Sequence, residues 1–155
     1  MGWSPALDFF YYNDSRQAKT WCFAYDPHSA SLGPKRLFRD AVEAEDPGRP
    51  DGLTVDSDGA VWTARWEGGA VLRCTPDGTV DACLPVPDAV FVTSLTFAPR
   101  YDSASDSWSE DMPDVYVTSA SRGDRETSGP KGGALFRMRF PRERYRGKPD
   151  FLSRL

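Results

Sequence analysis

The sequence predicts an all-β fold, and three observations support this. The chain has 155 residues, with 13 Gly, 13 Pro and an apolar content of 39%, a composition that suits a turn-rich β protein. Short runs of alternating apolar and polar residues are separated by Asp-Gly and Gly-Gly turns. No stretch keeps the 3.6-residue period of an amphipathic helix. A chain of this length is expected to form one domain.

The segment 50–78, PDGLTVDSDGAVWTARWEGGAVLRCTPDG, shows this pattern most clearly. Its Asp-Gly and Gly-Gly pairs favour tight hairpin turns, because glycine accepts the positive φ that these turns need. The predicted strands cover 53–56, 60–66, 70–75 and 79–84. This assignment places Asp51 just before the first strand, between Pro50 and Gly52.

The remaining strands follow from the same alternation. They are predicted at 9–13, 20–25, 35–38, 93–98, 115–119 and 134–140, with one more around 151–152. The segments 100–113 and 121–132 are polar and are predicted to be loops.

A weak internal repeat divides the chain into units of roughly 1–47, 48–90 and 91–155. The segments 2–5, 52–56 and 94–98 correspond as the first strands of these units. A spacing near 40–50 residues is typical of four-stranded propeller blades. Since closed propellers have at least four blades, three such units predict a partial propeller.

Charge and cysteine usage exclude several classes of function. The net charge is −4 with both signs interspersed, so no basic cluster indicates nucleic-acid binding. No apolar run reaches the roughly 18 residues of a membrane span, and no secretory signal is visible, so a cytoplasmic protein is expected. Cys22, Cys74 and Cys83 are then expected to be reduced, small and buried.

Several motifs, in order, resemble the senescence marker protein/gluconolactonase/regucalcin family. They are GWSP at 2–5, YYNDS at 11–15, PDG at 50–52, DSDGAVW at 56–62, GGAVLR at 68–73, TSLTF at 93–97 and VYVTSA at 115–120. The resemblance implies a six-bladed β-propeller of roughly twice this length. The chain resembles its C-terminal half, so about three blades are expected.

The resemblance also implies a function, which is the metal-dependent hydrolysis of sugar-acid lactones. The family's Pro-Asp-Gly aspartate matches Asp51, which is thereby implied as a metal ligand and as the general base for water bound to the metal. One divalent cation is implied, Ca²⁺, Zn²⁺, Mg²⁺ or Mn²⁺, acting as a Lewis acid. The family's other ligands, a Glu and an Asn, match no position of this chain.

Four further residues are candidates for binding a small-molecule lactone. Asp14 ends a strand near the expected channel mouth, although Asp there also caps turns. Trp66 precedes a hairpin turn and would line the mouth or lie at an exposed hairpin end. Thr93 and Ser94 open the third unit, where their hydroxyls would bind the lactone or complete the inner ladder.

Two non-catalytic interpretations remain open at this point. The chain would be inactive alone and need a missing N-terminal half, or two copies would close a six-bladed ring as a homodimer. Alternatively, it would be a calcium-binding or regulatory propeller fragment. A serine-hydrolase triad is not indicated, because His28 is the only histidine and no G-x-S-x-G motif is present.

Overall fold

Three main antiparallel sheets and a separate two-stranded hairpin occur along the chain in the computed structural model, which describes residues 1–109, 112–141 and 144–148. The first sheet contains β1 (Gly2–Trp3), β2 (Phe9–Asp14), β3 (Lys19–Asp26), β4 (Ser31–Leu32) and β5 (Arg36–Asp40). The second contains β6 (Arg49–Val55), β7 (Val61–Trp66), β8 (Ala70–Cys74) and β9 (Val80–Pro85). The all-β prediction is therefore confirmed.

The third sheet is built from strands that are further apart in sequence. After β10 (Phe91–Ala98) comes a small hairpin of β11 (Tyr101–Asp102) and β12 (Ser107–Trp108). Next are β13 (Asp114–Ala120), the short helix α1 (Arg125–Ser128) and β14 (Leu135–Arg139). The sheet order is β10-β13-β14. The three sheets lie within the three predicted repeat units, whose boundaries remain predictions.

The second sheet is the best formed, since its four strands pair in the order β6-β7-β8-β9. Two of its turn glycines have the positive φ that the sequence predicts, 82° at Gly59 and 88° at Gly78. Every residue of β8 is buried. This sheet therefore lies in the interior, between the other two.

Two apolar clusters join the three sheets. The first lies between the first and second sheets and contains Tyr11, Cys22, Leu53, Val55 and Val61. The second lies between the second and third sheets and includes Trp62, Ala64, Val71, Val92, Leu95, Phe97, Val115 and Val117. Face-to-face packing of successive sheets is the arrangement of propeller blades.

The motif at 56–62 is explained by one buried carboxylate. Asp56 is fully buried and accepts hydrogen bonds of 2.8 Å from Trp62 Nε1 and from Arg73 Nε. It also accepts the backbone N–H of Ala60 at 2.9 Å. Because a buried carboxylate needs such partners, this motif fixes the β6–β7 turn and is not a ligand site.

The structure corrects several local predictions. Strand β6 begins at Arg49 and not at residue 53, because Arg49 and Pro50 pair with β7. The predicted loop 100–113 contains the β11–β12 hairpin, whose Tyr101 and Trp108 rings lie 5.2 Å apart. The predicted loop 121–132 contains α1, capped by Asp124. The predicted strand around 151–152 lies outside the described residues.

The cysteine prediction is correct in part. All three cysteines are free thiols, and Cys22 and Cys74 are buried. Cys83 is exposed, contrary to expectation. It lies in β9, the outer strand of the second sheet, where exposed and half-buried residues alternate.

The two ends of the stack of sheets differ in chemistry. The outer face of the first sheet is aromatic, with ring-centroid distances of 5.0 Å between Trp3 and Phe10 and 6.0 Å between Phe10 and Phe23. On the outer face of the third sheet, Tyr116 pairs with Arg137 and Thr118 pairs with Leu135. Leu135 is 65% exposed.

Candidate active site

Asp51 lies in a β-bulge of the inner strand β6. Pro50 pairs with Arg65 and Leu53 pairs with Thr63, and the register shifts between these two pairs. Asp51 and Gly52 are thus the two residues without a regular cross-strand partner in β7. Bulges re-aim side chains and are frequent beside active sites. The correction to β6 therefore moves Asp51 from a position just before a strand to a bulge within that strand.

A buried side chain of the first sheet holds the backbone of this bulge. Asn13 Nδ2 donates to the carbonyl oxygen of Asp51 at 2.7 Å and to Thr63 Oγ1 at 2.9 Å. Its own Oδ1 accepts a hydrogen bond of 2.7 Å from Thr20 Oγ1. Asn13 thereby fixes the bulge from 38 residues away. Sequence reasoning missed this role, and the only signal was a polar residue closing an aromatic strand.

Gly52 brings β6 into close contact with β10. A Cβ atom at this position would lie 2.5 Å from Ser94 Oγ and 2.7 Å from the carbonyl oxygen of Thr93, so no larger residue fits without a shift of the backbone. Ser94 therefore lies beside the bulge, and its role in substrate binding, like that of Thr93, remains a prediction. The Thr93 hydroxyl lies 2.8 Å from that of Thr118, which is a contact within the third sheet.

A cavity of about 280 Å³ opens at the bulge, and Asp51 lies in its wall. The other lining residues are Ser15, Arg16, Arg49 and Trp66. The structure thus brings together Asp51 and Trp66, two of the predicted site residues. The Trp66 ring packs against Phe91 with a centroid distance of 4.6 Å, which ties the cavity wall to the third sheet.

Asp14 is placed differently from the other candidates. Its Oδ1 accepts the backbone N–H of Gln17 at 3.0 Å, which is the turn-capping role that sequence reasoning had left open. It is not among the residues lining the cavity, whereas its neighbours Ser15 and Arg16 are. Its role in substrate binding remains a prediction.

The carboxylate of Asp51 is in an unfavourable setting for a negative charge. Burial raises its pKa above the ordinary value, because desolvation disfavours the ionised form. Perturbed carboxyl groups in cavities are candidates for catalytic or ligand-binding roles.

A divalent cation does not fit the described residues by themselves. Asp51 is the one carboxylate that lines the cavity, and no group of three or more His, Cys, Asp or Glu side chains capable of holding a metal ion occurs among the described residues. Divalent cations take several protein or water oxygens. Further carboxylate or imidazole ligands would have to come from outside the described residues.

Comparison with known proteins shows the family. A region model described as SMP-30/Gluconolactonase/LRE-like matches residues 1–121, and the chain belongs to this family. The pentonolactonase XacC of Haloferax volcanii is 34% identical over 161 residues, which cover 99% of this chain and 50% of that protein. Regucalcin of Gallus gallus is 32% identical over 146 residues, covering 89% and 43%, respectively.

The fold is similar to that of a solved relative. The structure of a calcium-binding protein, regucalcin, from Agrobacterium tumefaciens matches with a TM-score of 0.75 and 26% identity, over 95% of this chain and 46% of that chain. The protein is therefore a partial β-propeller of the gluconolactonase/regucalcin type. The chain spans about half the length of the curated relatives it matches. In the part of the chain that the structure describes, no helix is long and apolar enough to cross a membrane.

Proposed function

We propose that this chain forms one half of a metal-dependent hydrolase of sugar-acid lactones, namely the half that contains Asp51. The observation that carries the proposal is the position of Asp51, on a bulge of an inner strand, in a cavity, with a pKa raised by burial. The similarity to a pentonolactonase over 99% of this chain supports the substrate class.

The chemistry assigned to Asp51 is that of a general base. A carboxylate with a raised pKa is a stronger base than an ordinary one and takes a proton from an attacking water more readily. Asn13 donates to the Asp51 carbonyl and Gly52 lies close to β10, so the backbone next to the reactive group is held in place. Such positioning matters because small displacements of a catalytic group are costly.

A divalent cation is part of the proposal, with Asp51 as one of its ligands. When bound, the ion would polarise the lactone carbonyl and lower the pKa of water. Because Asp51 is the one cavity carboxylate, we expect little turnover from a monomer of residues 1–155. The remaining ligands would come from a second copy or from a missing N-terminal half.

A homodimer that closes the ring is supported by the chemistry of the two ends. Within the described chain, Nε1 of Trp3 and Nε1 of Trp21 are buried without a hydrogen-bond partner, and both rings belong to the aromatic outer face of the first sheet. The outer face of the third sheet carries Thr118, whose hydroxyl also contacts that of Thr93, and Arg137, whose guanidinium is paired with Asp114. Hydroxyls accept hydrogen bonds from indole N–H groups, and guanidinium groups pack on aromatic faces.

The second candidate function is calcium binding without catalysis. It is favoured by the similarity to a structure described as a calcium-binding protein. Calorimetric titration with Ca²⁺ separates the two functions. Heat of Ca²⁺ binding without any lactone hydrolysis would favour the second.

A cation-dependence assay tests the proposed hydrolase. Proton release from gluconolactone is followed after removal of metal with a chelator and again after addition of Mn²⁺, Zn²⁺, Mg²⁺ or Ca²⁺. We expect hydrolysis above the spontaneous rate only with one of these ions, and only in fractions that contain assembled chains. Equal rates with and without the chelator would contradict metal dependence.

A further inference from the structure

We propose that Arg16 and Arg49 form a subsite for an anionic substituent of the substrate at the Asp51 cavity. The inference rests on the proposed function, since it extends the same cavity from a general lactone to a lactone that carries a phosphate, sulfonate or carboxylate group. It identifies the part of the site that would select among substrates.

The two arginines reach the cavity from different sheets. Arg16 belongs to the β2–β3 turn of the first sheet, and Arg49 is the first residue of β6 in the second. Both are exposed, and both line the cavity together with Asp51 and Trp66. Two cations therefore converge on one opening although they are 33 positions apart in the sequence, from 16 to 49.

Arg16 and Arg49 differ from the arginines that stabilise the fold through ion pairs. Five arginines of the fold make ion pairs or hydrogen bonds with carboxylates: Arg39, Arg65, Arg73, Arg100 and Arg137. Among the described residues, the guanidinium groups of Arg16 and Arg49 make no such ion pair. Since the structural ion pairs are formed elsewhere, these two charges remain available to a ligand.

The acidic groups nearby do not neutralise them. Asp51 lines the same cavity but, in the described structure, forms no ion pair with either guanidinium. Asp46, in an adjoining cavity that Arg16 and Arg49 also line, is already paired with Arg39 and Arg65. Glu45 and Glu67 line that second cavity, but in the described structure neither forms an ion pair with the two arginines.

The chemistry of the subsite favours an oxyanion. A guanidinium presents its N–H groups as a planar fork that matches the oxygens of phosphate, sulfonate or carboxylate. The Ser15 hydroxyl and the Trp66 ring complete the lining, and such a ring offers an apolar surface to the sugar carbons. An anionic group bound here would lie in the same cavity as the Asp51 carboxylate.

Calorimetric titration of the full chain with two product acids tests the subsite. The probes are 6-phosphogluconate and gluconate, which share the C1 carboxylate and differ in the phosphate. We expect 6-phosphogluconate to bind about tenfold more tightly or better, with a preference that decreases as NaCl is raised. Equal affinity for the two acids, or binding of neither, would overturn the inference.

Matched variants assign the preference to the two side chains. Arg16→Gln and Arg49→Gln are each expected to reduce the preference for 6-phosphogluconate over gluconate severalfold. The double variant is expected to abolish this preference. Arg125→Gln is the control, since Arg125 is also exposed but lies in α1, outside the cavity lining. Because these residues are exposed, thermal melting should show unchanged stability. A preference that survives in the double variant would overturn the inference.

The same proteins separate this inference from the proposed function. Hydrolysis of neutral gluconolactone without any preference for 6-phosphogluconate would contradict the anionic subsite and support the proposed hydrolase. Preferential binding of 6-phosphogluconate that depends on both arginines, with no lactone hydrolysis, would support the subsite and contradict the proposed hydrolase function.

Discussion

The side-chain amide of Asn13 donates a 2.7 Å hydrogen bond to the backbone carbonyl of Asp51. This contact joins the first sheet to the bulge of the second. The Asn13 side chain makes two further hydrogen bonds, both buried, to Thr63 and from Thr20. The geometry of the candidate catalytic carboxylate thus depends on a residue of a neighbouring sheet.

Replacing Asn13 with alanine should impair both stability and the site. The change leaves the Asp51 carbonyl and the Thr63 hydroxyl without their donor, which should lower the free energy of unfolding by about 1–3 kcal/mol. Urea unfolding measures this loss. We also expect a lower rate of lactone hydrolysis per folded chain.

Thr20→Val is the matched control for this variant. It removes the hydrogen bond to Asn13 Oδ1 but keeps both bonds that Asn13 Nδ2 donates. The rate of hydrolysis should therefore change much less than in Asn13→Ala. Equal rates for Asn13→Ala and the wild type would show that the contact does not position Asp51.

Replacing Asp51 with asparagine should stabilise the metal-free protein at neutral pH. The folded-state pKa of Asp51 is raised, so its ionised form is disfavoured in the native state. This penalty is present above the folded pKa and absent below the unfolded value of about 3.9. Asp51→Asn removes the penalty, and we expect a rise in Tm of no more than a few degrees at pH 7.

The pH dependence of this gain provides the check. Melting in the presence of a chelator should show that the difference between Asp51→Asn and the wild type shrinks as the pH is lowered toward 4. A variant that melts below the wild type at pH 7 would mean that the carboxylate has a stabilising partner, contrary to the structure.

A second pair of variants tests the buried ion pair of the β6–β7 turn. Asp56→Asn should destabilise the fold by about 3 kcal/mol, because it removes the charge that faces the buried Arg73. Asp58→Asn should cost no more than about 1 kcal/mol, since Asp58 is 66% exposed at the side chain and 3.3 Å from the same arginine. Urea unfolding measures both losses in free energy of unfolding. Equal losses would contradict the dominant role of Asp56 in the pairing with Arg73.

Light scattering tests the closure of the ring by two copies. We expect a mass of twice the 17.2 kDa chain. Tyr12→Lys and Leu37→Glu place charges on the outer face of the first sheet, where the wild-type side chains are 41% and 50% exposed. Both should shift the protein toward the monomer.

Val42→Glu is the control for these charge insertions. Val42 is 72% exposed and lies in the turn after β5, so its replacement should leave the mass unchanged. A wild-type protein that remains a monomer at high concentration would exclude the homodimer. A segment corresponding to the other half of the longer relatives would then be the remaining source of the other ligands.

The features that were predictable from the sequence are those encoded by neighbouring residues. Glycine turns and alternating apolar residues define the hairpins of the second sheet, because turn conformation and strand alternation are local properties. The choice of Asp51 as the candidate catalytic residue came from the resemblance of its Pro-Asp-Gly segment to a known family. The family assignment of the chain supports that choice without testing the residue.

The features that were missed depend on contacts between distant segments. The bulge at Asp51 arises from the pairing of β6 with β7, and the role of Asn13 arises from the packing of the first sheet on the second. Arg16 and Arg49 meet at one cavity because their sheets are neighbours. No local sequence pattern predicts these long-range contacts, because each residue by itself is typical of an ordinary strand or turn.

The role of Asp51 in hydrolysis is best tested by comparing two aspartates that share the same tripeptide. Asp51 lies in Pro-Asp-Gly at the bulge, and Asp77 lies in Pro-Asp-Gly at an exposed turn, where it accepts the backbone N–H of Thr79. Lactone hydrolysis is measured for Asp51→Asn and Asp77→Asn in assembled fractions with the activating cation. We expect Asp51→Asn to lose about a hundredfold or more in kcat and Asp77→Asn to keep the wild-type rate. An Asp51→Asn variant that retains the wild-type kcat would contradict the assignment of Asp51 as the general base.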